Sequence, residues 1–470
     1  MRIPPLLLAC GLLVMFSCQS TTSENPDVAN EPTDADTTEA PVKAGVQHLD
    51  WSKNANIYEV NIRQYTPEGT ITAFRKHLPR LQQMGVKILW LMPIYPIGEK
   101  NRKGELGSYY SIKDYTSVNP EFGTEEDFHG LVKEVHERGM YLILDWVANH
   151  SAWDHPWVEE HPNWYQRDSA GNLQSPYDWT DVVAFDYDNT EMRQGMKEAL
   201  SYWIQKHDVD GYRCDVAFMV PTEFWNDVRI ILDAIKPVFM LAEAEHPENQ
   251  LQESAFDMSY AWDWHHLMNH IAKGEQNLTH IDTHCTKYDS LFPADAYRMS
   301  FITNHDENSW NGTVWERLDA GAPTYAVLSH TLRGMPLIYS GQEAGLDRRL
   351  SFFGKDEIDW KQLPFESFFT ALNGLKSKNS ALWNGTQGAS AQIQSPLTAD
   401  SKVLVYSRMQ GANEVWVALN LSGQPATFPD LKAQPQGDFT ELFSGKSMEG
   451  NAFQKAELAA WEYRVMHREG

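Results

Sequence analysis

Residues 125–149 read EEDFHGLVKEVHERGMYLILDWVAN, and this stretch spells one helix followed by one buried strand. The pattern over Glu125–Arg138 is amphipathic, Glu125 and Glu126 suit the positive end of a helix dipole, and Gly139 stands where a helix stops. An apolar run, Met140–Trp146, follows at once and reads as a strand buried on both faces.

The same alternation extends outward from Asn56. Candidate strands are Ile57–Ile62, Val86–Met92, Met140–Trp146, Val209–Cys214, Val238–Ala242, Phe256–Tyr260, Arg298–Thr303 and Pro336–Ser340, with helical patterns such as Ile71–Met84 and Met192–His207 between them. Strands alternating with helices predict an α/β fold with a parallel sheet, and eight of them over this length predict a (β/α)8 TIM barrel across 46–385. Residues 148–189, crowded with Trp, His, Asp and Tyr, are too long for a plain connection and read as a small inserted subdomain after the third strand. Beyond about Ser390 the pattern changes to short alternating runs, Lys402–Arg408, Glu414–Leu419, Phe439–Phe443 and Glu462–Met466, so 386–470 reads as a C-terminal antiparallel β domain.

Composition narrows the partners. With 39 Lys and Arg against 64 Asp and Glu, the net charge is −25, which argues against nucleic acid, whose phosphates call for a basic surface. The 17 Trp and 19 Tyr suit sugar faces, although most aromatic side chains are simply core. Of the four cysteines, 10 and 18 lie in the N-terminal stretch, and Cys214 sits in a candidate buried strand where a small apolar side chain is wanted.

The first 17 residues run from Arg2 through an apolar stretch, Ile3–Phe16, to Ser17, and read as a signal peptide. A small residue directly before Cys18 resembles a bacterial lipobox, in which the cysteine becomes lipidated and N-terminal. Met15 and Phe16 depart from its usual residues, and ordinary export with cleavage nearby is the alternative. Residues 18–45 are rich in Thr, Ser, Pro and Asn, with six acids and few large apolar side chains, the composition of a disordered tether. The expectation is an exported envelope lipoprotein held to a membrane through Cys18. No later segment has an uncharged apolar run long enough to cross a bilayer.

In a TIM barrel, polar groups at the C-terminal strand ends are the expected catalytic groups, and here they recur four times. The third strand ends Asp145-Trp146-Val147-Ala148-Asn149-His150; the fourth is Asp210-Gly211-Tyr212-Arg213-Cys214-Asp215; the fifth runs Met240-Leu241-Ala242-Glu243; the seventh runs Phe301-Ile302-Thr303-Asn304-His305-Asp306. In this order and at these intervals the segments resemble the four signature segments of the α-amylase family of glycoside hydrolases. Gly107–Tyr115 with Val118-Asn119-Pro120, and Tyr339-Ser340-Gly341-Gln342-Glu343, extend the resemblance over about Trp51–Gly341.

The resemblance implies a retaining enzyme, which needs a carboxylate nucleophile and a carboxylic acid roughly 5–5.5 Å apart. It makes Asp215 the nucleophile, Glu243 the general acid and then base, and Asp306 the residue that holds the sugar 2-OH and 3-OH. It gives Tyr110 a stacking role, and His150 and His305 hydroxyl-binding roles, at the sugar on the non-reducing side of the cut. Arg213, two residues before Asp215 on the same strand face, can fix that carboxylate or pair with Asp145. Glu245 is the rival for the acid. Asp145 and Asn149 are the structural supports.

Two departures stand out. Many relatives hold a structural calcium through the Asn of the first segment, an Asp in the inserted subdomain and a carbonyl at a Lys-His after the second segment. Asn149 is kept, but Ala184 stands where that Asp would fall and Val216-Ala217-Phe218-Met219 replaces the Lys-His, so calcium is not assumed and the chemistry requires no cofactor. Val216 directly after Asp215 resembles the α-1,6-acting members. The expected activity is α-amylase-type hydrolysis of α-1,4 bonds in starch, glycogen or maltooligosaccharides, with an α-1,6-glucosidase or transglycosylase as the alternative. A non-catalytic glucan-binding homologue would have lost carboxylates that are all present here.

Overall fold

The computed structural model describes residues 46–245 and 248–470. The signal segment, Cys18 and the acidic tether up to residue 45 lie outside the described residues. In chain order the first strands are β1 Ile57–Val60, β2 Ile88–Leu91, β3 Tyr141–Trp146, β4 His150–Ala152, β5 Val182–Ala184, β6 Gly211–Cys214, β7 Phe239–Ala242, β8 Met258–Tyr260, β9 Tyr297–Ser300 and β10 Met335–Tyr339. All but β4 and β5 form a closed barrel in sequence order, with β10 returning to β1, and every pairing in it is parallel. The predicted TIM barrel is therefore present, as is a C-terminal antiparallel sheet that includes β12 (Val403–Gln410) and β13 (Asn413–Asn420), after a short β11 (Gln392–Ile393).

The period-two alternation of strands sorts side chains into two cores. Ile57, Ile88, Trp90, Ile143, Phe239, Leu241, Met299 and Leu337 fill the barrel interior, while Tyr58, Leu89, Leu142, Leu144, Tyr212, Cys214 and Met240 face the surrounding helices. Cys214 is thus the small buried side chain that its strand position predicts. Alternation also decides which polar residues point inward. Glu59 follows Ile57, Asp145 follows Ile143, and Glu243 follows Leu241 on the interior side.

One glycine is dictated by close approach. Gly211 opens β6 with φ +146°, and a Cβ there would lie 1.8 Å from the Phe239 carbonyl oxygen, so no other residue lets β6 meet β7 at this register. At the opposite end of the barrel from the strand-end carboxylates, acids act as structure. Asp210 accepts from Leu142 N–H at 2.8 Å and is paired with His136 and Lys236.

Two sequence expectations shift. The pattern Ile71–Met84 is two helices, Ile71–Arg75 and Leu78–Gln83, because Pro79 has no N–H to offer the Arg75 carbonyl and its ring crowds that turn. The run Arg298–Thr303 leaves the sheet after Ser300, since β9 meets β10 only through Met299 and Ser300. The excursion over 148–189 holds a two-stranded antiparallel pair, β4 with β5, and a short helix, Pro156–Glu160. The helix of the opening stretch spans Glu125–Glu137. Thr124 and Asp127 close a capping box at its start, a contribution of about 1 kcal/mol.

Candidate active site

The four strand-end segments converge. Asp215 continues the ladder beyond β6, its N–H donating to Trp146 O at 2.8 Å, and Glu243 does the same beyond β7, donating to Cys214 O at 3.0 Å. His305 and Asp306 arrive on the loop after β9. With Tyr110, His150 and Val216 they line a cavity of about 480 Å³, a size suited to a small ligand.

Arg213 is the hub. Fully buried, it donates through Nη1 to Asp145 Oδ1 at 2.8 Å and to Asp215 Oδ1 at 3.0 Å. Its Nη2 lies 2.9 Å from Glu243 Oε2, an ion-pair distance without the alignment of a hydrogen bond. Both sequence readings of Arg213, as carboxylate anchor and as partner of Asp145, hold at once. Removing it would leave buried carboxylates unpaired, at a cost of about 3–5 kcal/mol. Glu243 Oε2 also accepts from Val216 N–H at 2.8 Å. Val216 itself has φ +36°, a strained conformation for a β-branched residue and of a kind that clusters at functional sites.

The carboxyls are crowded. Burial pushes Asp215 up, Arg213 opposes, and Glu243, Asp145 and Asp306 push it further up. Arg213 and, at Asp306, His305 are the positive charges that oppose this crowding.

The two histidines differ. Burial drives His150 down to about 3, so it is neutral; Asn149 Nδ2 lies 3.1 Å from its Nδ1. Burial also works against the cationic form of His305, but Asp306 and Glu59 outweigh it and raise His305 to about 9. Tyr110 Oη donates to Asp145 Oδ2 at 3.1 Å and lies 2.7 Å from His305 Nε2, with its ring stacked on His305 and Phe352.

Glu245 is elsewhere. It is ion-paired with Arg298 and accepts from Asp263 N–H at 2.8 Å, and it does not line the cavity. Ala184 pairs with His150 in the β4–β5 ladder and offers no side-chain oxygen, and among the described residues no group of three or more His, Cys, Asp or Glu is placed to hold a metal. No step is assigned to a metal.

Several lining residues escaped the sequence reading. Lys103, paired with Asp181 at 3.2 Å, and Trp179, Phe352 and Phe353 come from loops without periodicity, and Trp310 from the short helical turn Glu307–Asn311. Trp310 is 52% exposed and packs on Phe352 with ring centroids 5.2 Å apart. Glu59 lies in β1, where alternation with Ile57 was the available signal.

Comparison with known proteins now decides the family. The model of the α-amylase catalytic domain matches residues 31–182 and 163–389, more than half of the chain. The chain belongs to the α-amylase family. It is 26% identical over 411 residues to α-amylase MalA of Haloarcula japonica, covering 84% of this chain. It is 27% identical over 395 residues to an α-1,4-glucan:maltose-1-phosphate maltosyltransferase of Picrophilus torridus, covering 75% of this chain. It spans 59% of the length of each of these two relatives. Among solved structures it is similar to an α-amylase from Lactobacillus plantarum, at 29% identity and a TM-score of 0.77 over 89% of this chain and 99% of that one. Its relatives in the family thus include both hydrolases and transglycosylases.

Proposed function

We propose that this α-amylase family member is a retaining α-glycoside hydrolase that cleaves α-1,4-glucosidic bonds in starch, glycogen or maltooligosaccharides. The observation that carries this reading is the shared guanidinium: Arg213 Nη1 meets Asp215 and Nη2 meets Glu243. A nucleophile and an acid held on one side chain suit the short separation of a retaining mechanism.

Asp215 attacks the anomeric carbon as Glu243 protonates the departing oxygen, giving a covalent glycosyl-enzyme. Glu243 then takes a proton from water, which releases the sugar with its configuration retained. Asp306 and His305 hold hydroxyls of the reacting sugar, His150 offers a neutral ring, and Tyr110 supplies a stacking face.

A second reading, α-1,6-glucosidase or transglycosylase action with the same machinery, draws on Val216, which follows Asp215 and lines the cavity. Digests of amylose, pullulan and isomaltose followed by NMR separate the two. The expected result is cleavage of amylose with the α-anomer released first. Initial release of the β-anomer refutes retention, and cleavage of isomaltose alone refutes α-1,4 specificity.

We also propose that the protein is exported and anchored through a lipid on Cys18, a reading supported by Ser17-Cys18 and the acidic, Ser/Thr/Pro-rich segment after it. Cys18→Ser is expected to move the protein from the membrane fraction to the soluble fraction with unchanged specific activity. A wild-type protein that is fully soluble after export overturns the anchor.

A further inference from the structure

Glu59 has no role in the chemistry described so far, yet its surroundings are those of a functional group. It lies in β1, fully buried, and its Oε1 is 2.5 Å from His305 Nδ1. Its other oxygen, Oε2, meets no donor among the described residues. A buried carboxylate normally satisfies both oxygens, because an unpaired one forfeits its hydration. Among the described residues the one side-chain hydrogen bond of Glu59 therefore goes to an imidazole, across 246 residues of chain.

Counting protons constrains the Glu59–His305 pair, in which burial raises Glu59 and the facing imidazole lowers it. Tyr110 spends its only O–H on Asp145, so at 2.7 Å its oxygen accepts from His305 Nε2. Asp306 Oδ2, 3.2 Å from the same nitrogen, is an acceptor as well. Nε2 thus carries a proton. On the other side of the ring Nδ1 faces a carboxyl oxygen, a contact that itself needs a proton between the two atoms. The Glu59–His305 pair accordingly holds one proton more than a neutral histidine beside a carboxylate.

We propose that Glu59 is a positioning residue that holds His305 as an imidazolium, oriented so that its Nε2–H faces Asp306 and the hydroxyls of the reacting sugar. This inference rests on the function proposed above. Glu59 touches no substrate; it fixes the ring and its charge, much as a carboxylate orients a catalytic histidine. The charged and titratable groups around His305 are Glu59 from β1, Tyr110 from the loop after β2, Asp145 from β3, Arg213 from β6 and its neighbour Asp306. Burial and Arg213 oppose the cation, and the acids outweigh both, in keeping with the rise of His305 to about 9.

The test compares Glu59→Gln with wild type in substrate-free NMR and in kinetics. Gln keeps an oxygen for Nδ1–H and removes the charge. Histidines are labelled with 13C at Cε1, and the His305 signal is identified by its loss in His305→Gln. Wild type is expected to titrate near 9, and Glu59→Gln at least about one pH unit lower, since the loss of a neighbouring charge is an effect of that size. The basic limb of kcat/KM on maltooligosaccharides shifts by the same amount, so the variant loses about threefold at pH 8.5 and nearly tenfold by pH 10, while staying close to wild type at pH 6. An equal loss at every pH with an unmoved midpoint makes Glu59 merely structural and overturns the proposal. A wild-type midpoint below 7 overturns it without any variant, which covers the case where Glu59→Gln does not fold. If wild type cleaves no α-glucan, the proposed function fails, while the NMR midpoints still decide whether Glu59 sets the charge of His305.

Discussion

Asp215→Asn is expected to fold normally and to lose at least about 10⁴ in turnover on amylose, the scale seen when a nucleophile is removed from a covalent mechanism. The amide has almost the volume of the carboxyl and keeps an oxygen for Arg213 Nη1. Arg213 retains its pairings with Asp145 and Glu243, so no buried cation is stranded. Stability moves the other way from activity. Burial and three neighbouring acids raise Asp215, and a carboxyl raised in the folded state costs stability as pH climbs from its unfolded value toward its folded one. Asn has no such cost, so the Tm of the variant should match wild type near pH 4 and exceed it by pH 8. A trade of stability for activity at this position is what a crowded catalytic carboxylate implies. Parallel thermal melts and single-turnover assays check both halves. Substantial turnover by Asp215→Asn removes the nucleophile assignment.

The fold was legible because eight apolar runs alternate with helical patterns, and the four that end in polar residues made the strand-end acids legible. Asp145, Asp215, Glu243 and Asp306 announce themselves as charges at the end of segments too apolar to be exposed. What stayed hidden depended on contacts between distant parts of the chain. Glu59 is a single acid inside Ile57-Tyr58-Glu59-Val60, and alternation places it in the barrel, but nothing local points to a histidine 246 residues away. Trp310 belongs to a single helical turn, and Phe352 and Phe353 to a loop, whose paths are set by tertiary packing. Pro79 was a visible breaker within an apparently continuous helical pattern, and the chain obeys it by splitting the helix. The strand read through Thr303 was too long for a related reason. Phe301 and Ile302 are apolar and buried, as a strand residue would be, yet they pack beyond the last paired position of β9. Burial and strand pairing give the same signal in sequence and part company only in three dimensions.

Glu243→Gln should separate substrates by their leaving groups. Natural glucans need a proton on the departing oxygen, so turnover on starch is expected to fall by about 10²–10⁴, the usual contribution of a general acid. An α-glucosyl fluoride leaves without that proton, and its first step should run at close to the wild-type rate. The geometry favours this clean separation. Among the described residues both contacts to the carboxyl, from Val216 N–H and from Arg213, fall on Oε2, so Oε1 is left to exchange the proton. A Gln side chain can keep its oxygen on those two donors and fill the same space. Because Glu243 also acts as the base in the second step, the glycosyl-enzyme should accumulate on Asp215 and be visible by mass spectrometry of the intact protein. Azide, a nucleophile that needs no base, should then release it with retained configuration, as the α-glucosyl azide, from Glu243→Gln or from a Gly or Ala variant there. Glu245→Gln is the control. Its carboxylate is committed to Arg298 and to Asp263 N–H, outside the cavity, so starch hydrolysis should persist. If Glu245→Gln shows the leaving-group dependence while Glu243→Gln still digests starch, the acid has been assigned to the wrong carboxyl, and the pairing of Glu243 with Arg213 is structural.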